Sequence, residues 1–295
     1  MKRSPVLLCF ACLAFTPLQA QERPAATFPP VFLDHVYLVL DGQTYRDIVD
    51  SEFMRNQFSR FRERTIVLDT QSHTAAYITG EQTYIEIFEA DKDPRFTLGM
   101  VGIAFNVEEA GGSELLLHRL NAQLDGNAKI DLSTVRQEEK DVPIFYATYV
   151  EYADTLQTVT LSTWVMEYYQ EAFKSDFPDM KPEDGVTRKQ ALANTFESGR
   201  YLRDVYEVTV ALDDTQARRL INELEVFGYT ISEDGERKTG KGPDITIVIT
   251  PLTTATGGIT ELKMSLLREK EGQQIYNFGA KSVLTFTGDS AIWVF

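Results

Sequence analysis

One histidine and three glutamates occupy matched places in the sequence where a ligand or metal site could form. His35 lies in an early apolar stretch, and Glu86, Glu167 and Glu261 each lie at the centre of a later one. An imidazole and a carboxylate that face one cavity suit a divalent ion such as Zn²⁺, Fe²⁺ or Mn²⁺. They also suit a hydrogen-bonded pair in a polar pocket that holds no metal. Both interpretations of the His35–Glu86 pair stay open at this point.

Glu167 lies among aromatic residues, between Trp164 and Tyr168. A carboxylate is costly to bury unless it is paired or protonated. If it faces the cavity, its pKa rises and it can act as a general acid or base; near the strand end it is instead simply solvated. Tyr37, Tyr84 and Trp164 suit contacts to a planar or apolar substrate, although strand aromatics also serve ordinary sheet packing.

A repeated element must position these residues. Residues 34–41, 102–108 and 207–213 are short apolar stretches that end on an acidic residue, and a helical pattern follows each. Each unit then closes on a strand with a central glutamate. The repeat predicts an α+β fold in which β-α-β-β-β modules form a cupped mixed sheet, with a third, degenerate module.

Strand alternation predicts which side chains share a face. The aliphatic face of the first strand is expected to pack under the helix, so that His35 points into the concave side with Leu33, Tyr37 and Val39. Glu86 is expected to share its face with Tyr84 and Phe88. His73 is predicted in an exposed turn, and Ser113 is predicted to cap the second helix.

The first residues are typical of a secretory signal, with Lys2 and Arg3 before an apolar stretch too short to span a bilayer. No other stretch is long and apolar enough to cross a membrane. The predicted organisation is a signal peptide (1–20), a leader (21–31), a first module (32–90), a second module (100–169), a helical insertion (170–202) and a third module-like unit with a C-terminal hairpin (203–295).

Cysteine usage and charge narrow the functional classes. Cys9 and Cys12 both lie in the signal, so an exported mature chain would have no thiol for catalysis or metal binding. Lipidation at Cys12 is the second-ranked alternative to cleavage before Gln21. The formal net charge of -15 repels nucleic acid and anionic lipid. The expected location is periplasmic or extracellular, and the expected partner is a small molecule.

Residues 33–41 and 84–88 resemble a module of the vicinal oxygen chelate superfamily, which includes glyoxalases, extradiol dioxygenases and bleomycin-resistance proteins. The resemblance covers residues 32–168 and, more weakly, residues 203–267. It implies paired modules around a cupped sheet, with a divalent metal held by ligands from the first and last strand of each module.

Carried over by position, the resemblance makes His35, Glu86 and Glu167 metal ligands, with Gly102 in the place of the fourth. It implies a metal-dependent lyase, isomerase or dioxygenase with Zn, Fe or Mn as the cofactor. Glu167 is the predicted catalytic residue because of its place among aromatic side chains. The alternatives are a metal-free protein that binds or sequesters a small molecule, and a structural or partner-binding protein that keeps only the fold.

Overall fold

The computed structural model describes residues 28–68, 71–124, 127–137, 140–152, 161–181, 183–253 and 257–295. The predicted signal peptide, most of the predicted leader, Cys9 and Cys12 lie outside this part of the chain. Across the residues that are described, no helix is long and apolar enough to cross a membrane.

Two β-α-β-β-β modules form the first sheet, whose eight strands run in the order β2-β3-β4-β1-β5-β8-β7-β6. The first module comprises β1 (Val31–Leu40), α1 (Gly42–Asp50), a π-helix (Met54–Phe58), β2 (Arg60–Leu68), β3 (Gln71–Thr79) and β4 (Tyr84–Glu89). The second comprises β5 (Val101–Val107), α2 (Gly112–Gln123), β6 (Asn127–Gln137), β7 (Lys140–Glu151) and β8 (Leu161–Tyr168). The α+β class and the modular mixed sheet predicted from the sequence are confirmed.

The second sheet repeats this topology, in the order β10-β11-β12-β9-β13-β16-β15-β14. Its first half comprises β9 (Leu202–Leu212), α4 (Asp214–Val226), β10 (Thr230–Asp234), β11 (Arg237–Lys241) and β12 (Thr246–Pro251). Its second half comprises β13 (Gly258–Leu266), β14 (Ile275–Phe278), β15 (Ser282–Thr287) and β16 (Ser290–Val294), with no described helix between strands. The prediction that Glu261 lies on the closing strand of the third unit was wrong, because β12 closes that unit and Glu261 lies on β13.

The segment between the sheets contains only short helices, a 3-10 helix (Gln170–Phe173) and α3 (Arg188–Leu192). They lie on either side of Pro178. α3 begins at a capping box formed by Thr187 and Gln190. This helix carries Arg188, which contacts both halves of the molecule.

The acidic residues that end the opening strands position the helices. Asp41 accepts hydrogen bonds from the backbone of Gln43 and Thr44 at the start of α1. Asp213 does the same for the first turn of α4. A carboxylate there satisfies amide groups that have no partner within the helix and favours the helix dipole. α2 differs, since it begins after Gly111 and not at the predicted cap Ser113.

One cluster of buried apolar residues spans both sheets and their helices. Phe105 of the first sheet packs on Phe227 after α4, with ring centroids 5.1 Å apart. We call the side of each sheet in this cluster its helix face and the opposite side its outer face. The helix faces meet at the centre of the molecule, so the predicted concave side of the first sheet is its outer face.

Arg188 joins the two sheets. Its side chain is 3% exposed and donates to the carbonyl of Leu33 in β1. It also pairs with Glu108 at 2.9 Å and with Asp244 at 2.5 Å. Burial raises the pKa of Asp244, and Arg188 opposes that shift. Glu108, the acid that ends β5, is therefore committed to Arg188 and does not cap α2.

Candidate functional site

A bulge in β1 brings two consecutive residues to the outer face of the first sheet. The pairing of β1 with β5 shifts between Leu33 and His35, which leaves Asp34 as the extra residue. Leu33 lies in the central apolar cluster, whereas Asp34 contacts His35 directly. The prediction that Leu33 shares a face with His35 was therefore wrong, because the bulge interrupts the alternation on which it rested.

Asp34 is the centre of a buried polar network. Its carboxylate is 1% exposed and accepts hydrogen bonds from His35 Nδ1 at 2.7 Å, Tyr168 Oη at 2.8 Å and Asn106 Nδ2 at 3.2 Å. Burial, and then the charge of Asp34, raise the pKa of Tyr168, so its hydroxyl stays protonated and donates. With the His35 ring neutral, the bond to Asp34 places the proton on Nδ1 and leaves Nε2 as the acceptor.

The His35 ring lies between aromatic side chains. It stacks on Tyr84 with ring centroids 4.2 Å apart, and its edge contacts Trp164 at 5.3 Å. Tyr37 lies 6.1 Å from Trp164 on the same face. The structure therefore brings together four predicted site residues, and His35 itself is only 4% exposed. Burial raises the pKa values of Tyr37 and Tyr84, so their hydroxyls are neutral.

Glu86 lies on this face beside Tyr37, its cross-strand neighbour. It accepts a hydrogen bond from Tyr77 at 2.6 Å, and His73 Nε2 lies 3.8 Å from the same oxygen. Burial, and then the charge of Glu86, raise the pKa of Tyr77. The prediction of His73 in an exposed turn was wrong: it lies in β3 and packs its ring edge on Phe88.

The structure places Glu167 apart from His35 and Glu86. It accepts hydrogen bonds from the backbone amides of Gly111 and Ser113, both at 2.8 Å, at the start of α2. Alternation along β8 puts Trp164 on the outer face and Glu167 on the helix face. Glu167 thus accepts hydrogen bonds from the first backbone amides of α2, as Asp41 does at α1 and Asp213 does at α4.

The described residues do not form the ligand set that the resemblance implies. Among them, no three histidine, cysteine, aspartate or glutamate side chains are close enough to hold one ion. Gly102, in the place of a ligand, is packed against aromatic rings. A Cβ at this position would lie 2.2 Å from Tyr37 Cε1 and 2.9 Å from Trp164 Cζ3.

One side chain of the linker between the modules packs on the outer face of the first module. Phe96 stacks on Phe88 with ring centroids 4.0 Å apart and contacts the edges of Tyr37 and His73. The rings do not fill this region completely, because His73, Phe88 and Phe96 also line a cavity of about 420 Å³.

A cavity of about 570 Å³ opens in the second module, where β7 and β8 separate. The two strands pair from Phe145 with Tyr168 to Thr148 with Val165, and the ladder joins no described residues beyond that point. Aromatic side chains from both strands and from the end of β7 line the opening. They are Phe145, Tyr149, Tyr152 and Trp164. We call this space the gap cavity.

Helix α4 of the second sheet supplies the polar wall of the gap cavity. Glu223 accepts hydrogen bonds from Tyr152 Oη at 2.7 Å and from the hydroxyl of Thr163. It is 3% exposed, and burial raises its pKa. Gln216 accepts from the amide of Leu161 at 2.9 Å. Arg219 lies over the Tyr152 ring at 4.3 Å.

The sequence interpretation missed Asp34 and Glu223. Asp34 was missed because strict alternation directs it away from His35. Glu223 had a signal in the sequence: with Leu220 and Leu224 it falls on the buried stripe of α4. An acid on such a stripe is either paired or placed against a cavity.

Residues 33–295 match a family described as "Family of unknown function (DUF5829)". The chain belongs to that family. A comparison with curated proteins found no match. The family therefore identifies the chain without assigning it a reaction.

Three solved structures are similar to this DUF5829 chain. A hypothetical protein from Staphylococcus aureus is 12% identical, with 83% of this chain and 94% of that chain covered and a TM-score of 0.50. A xylose isomerase-like TIM barrel/4-hydroxyphenylpyruvate dioxygenase fusion protein is 11% identical, with coverage of 80% and 36% and a TM-score of 0.43. A mutant 4-hydroxymandelate synthase from Streptomyces coelicolor is 12% identical, with coverage of 79% and 70% and a TM-score of 0.42. The first likeness is one of fold alone.

Proposed function

We propose that this protein binds a small molecule in the gap cavity, without a bound metal ion. The observation that carries the proposal is the cavity itself, which has a volume of about 570 Å³ and whose described lining includes four aromatic side chains. Small-molecule sites typically enclose about 300–1,000 Å³ and combine apolar walls with a few polar groups. The gap cavity has both, since α4 adds Glu223 to the aromatic wall.

The positions of the predicted metal ligands support this function over a metal-dependent reaction. Glu167 accepts a hydrogen bond from a backbone amide at the start of α2, and Glu86 accepts a hydrogen bond from the hydroxyl of Tyr77. At Gly102 two aromatic rings occupy the space that a ligand side chain would need. The lyase, isomerase or dioxygenase chemistry implied by the resemblance would need a different arrangement of these groups.

A second candidate is an enzyme in which His35 moves a proton. The favouring observation is the 2.7 Å bond from His35 Nδ1 to Asp34, which orients the ring and leaves Nε2 as a base. Trp164 contacts His35 and also lines the gap cavity. A substrate in the cavity would therefore contact a side chain that packs on His35.

Tryptophan fluorescence tests the binding proposal directly. The chain has two tryptophans, and Trp293 is fully buried in the second sheet. We expect small aromatic compounds to change the emission of the mature chain from Gln21, and Trp164→Phe to lose that response. Trp293→Phe is the matched control and should keep it. Phe145→Ala should weaken binding by about tenfold through lost aromatic contact.

Three results distinguish the candidates. No emission change with any of a panel of aromatic compounds would contradict the binding proposal. One equivalent of Zn, Fe or Mn in the purified protein, lost in His35→Ala, would overturn its metal-independent part. Conversion of a bound compound that stops in His35→Ala, with no metal present, would support the enzyme candidate instead.

A further inference from the structure

We infer that the ligand of the gap cavity is an amine, with an aromatic or apolar body and a protonated nitrogen that binds Glu223. The inference rests on the proposed function and names the class of molecule for the same cavity. Its starting point is the chemistry of Glu223, the buried acid that α4 contributes to the cavity wall.

Glu223 has hydrogen-bonding capacity that the protein leaves unused. Each of its oxygens accepts one hydroxyl, from Tyr152 or Thr163, and a carboxylate oxygen can accept two bonds. Among the described residues, the hydrogen bonds to Glu223 come from these two hydroxyl groups, and the charge of Arg219 opposes the rise that burial causes in its pKa. A buried carboxylate is costly unless its charge is compensated, and a ligand ammonium group would add to that compensation.

The other polar groups of the wall are already engaged. Gln216 accepts from the amide of Leu161 and donates to Asp213. The Arg219 guanidinium lies on the Tyr152 ring. Glu223 is therefore the wall group best able to take a new donor.

The aromatic wall is suited to a cation. Arg219 over Tyr152 at 4.3 Å is one such contact within the protein. Tryptophan attracts cations more strongly than other rings, and Trp164 lines the same space. Glu151 also lines the cavity, but its charge is paired with Lys129 at 2.6 Å. The net charge of the whole chain, -15, favours the approach of cations over that of anions.

Three probes with one aromatic body test the inference: 2-phenylethylamine, 2-phenylethanol and phenylacetate. Calorimetric titration at neutral pH should show the amine binding about tenfold more tightly than the alcohol, because a charge-assisted hydrogen bond is roughly twice as strong as a neutral one. Phenylacetate should bind most weakly. Glu223→Gln keeps the side-chain shape and should remove the preference for the amine while leaving alcohol binding.

Glu225→Gln is the matched control, since Glu225 lies on the same helix but is exposed. It should keep the preference for the amine. Equal affinities for the three probes, or tightest binding of phenylacetate, would overturn the inference and leave the proposed binding function standing. If no probe binds the wild-type chain, the proposed function fails as well. The wild-type ranking decides this even if Glu223→Gln does not fold.

Discussion

The outer faces of the two sheets share one topology and differ in chemistry. At the central strand pair of the first sheet, Asp34 and His35 form a buried pair among aromatic rings. At the central pair of the second sheet, Lys263 lies 2.7 Å from Glu207 and 3.8 Å from Glu261. Identical strand order therefore supports a buried dyad in one half and a partly exposed ion-pair cluster in the other. The topology provides positions, and the side chains decide what each position does.

The two faces also differ in the partners of their buried and partly buried carboxylates. The second sheet neutralises Glu207 with a lysine, and the hydrogen bond to Glu207 raises the pKa of Lys263. The first sheet holds the Asp34 carboxylate with hydrogen bonds from Tyr168, Asn106 and the imidazole of His35. The gap cavity holds acids of both kinds, since Glu151 pairs with Lys129 at 2.6 Å, whereas the hydrogen bonds to Glu223 come from the hydroxyl groups of Tyr152 and Thr163.

The largest effect is expected where the two halves meet. Arg188→Met keeps the length of the side chain but leaves Glu108, Asp244 and the Leu33 carbonyl without their donor. We expect a loss of about 3 kcal/mol in the free energy of unfolding. This value is at the lower end of the range for breaking a buried ion pair, because both acids keep some contact with water. Urea unfolding measures it. Lys174→Met, in an exposed pair with Glu171, is the control and should change stability little. A loss no larger than that of the control would contradict a coupling role for Arg188.

Asp34→Asn tests the buried network of the first face. The amide keeps one acceptor and presents an N–H₂ group to atoms that also donate, so we expect a loss of about 2–3 kcal/mol in unfolding free energy. Glu261→Gln at the partly exposed second face is the matched change and should cost about 0.5 kcal/mol or less. Equal losses in the two variants would remove the contrast between the faces.

Gly102→Ala tests the packing at the place of the missing ligand. The added methyl would lie 2.2 Å from the Tyr37 ring, so Tyr37 and Trp164 must shift. We expect a loss of about 1–3 kcal/mol in unfolding free energy, together with a changed Trp164 emission. Gly199→Ala, where a Cβ meets nothing within 4 Å, serves as the reference. Unchanged stability and emission would show that the rings leave room at Gly102.

The smallest effect is expected at Lys263. Lys263→Met removes the charge shared by Glu207 and Glu261, but the lysine is partly exposed, so the loss should be about 0.5 kcal/mol. The folded pKa of Lys263 lies above its unfolded value. Its contribution is thus fully present below the unfolded pKa, near 10.4, and disappears as pH rises through the folded pKa. Thermal unfolding at neutral pH and above pH 11 checks this, with Lys238→Met as the control; a difference that grows with pH would contradict it.

Local patterns predicted much of the frame. The apolar strands that end on Asp41 and Asp213 do lead into helices, because a carboxylate at a strand end satisfies the first amides of the helix. Alternation also placed His35, Tyr37 and Tyr84 on one face. These features depend on neighbours in the sequence, which is why the sequence alone indicated them.

The misplaced residues depend on contacts that local patterns do not contain. A bulge moved Asp34 onto the face of His35 and moved Leu33 off it. Glu167 was matched to Glu86 by its place in the repeated unit. However, Glu167 and Trp164 are three residues apart on one strand, so alternation already puts their side chains on opposite faces. Glu223 lines a cavity formed by β7 and β8 of the first sheet and by α4 of the second sheet. The sequence pattern of α4 alone therefore does not show which side chains Glu223 faces.

The origin of Glu223 in α4 has a consequence for the whole chain. A ligand in the gap cavity would contact strands of the N-terminal half and a helix of the C-terminal half at the same time. Such a ligand would bind only when the two halves are packed together. At a hundred times its dissociation constant, it would stabilise that packed state by about 2.7 kcal/mol. Ligand binding would then raise the melting temperature, whatever the chemical class of the ligand.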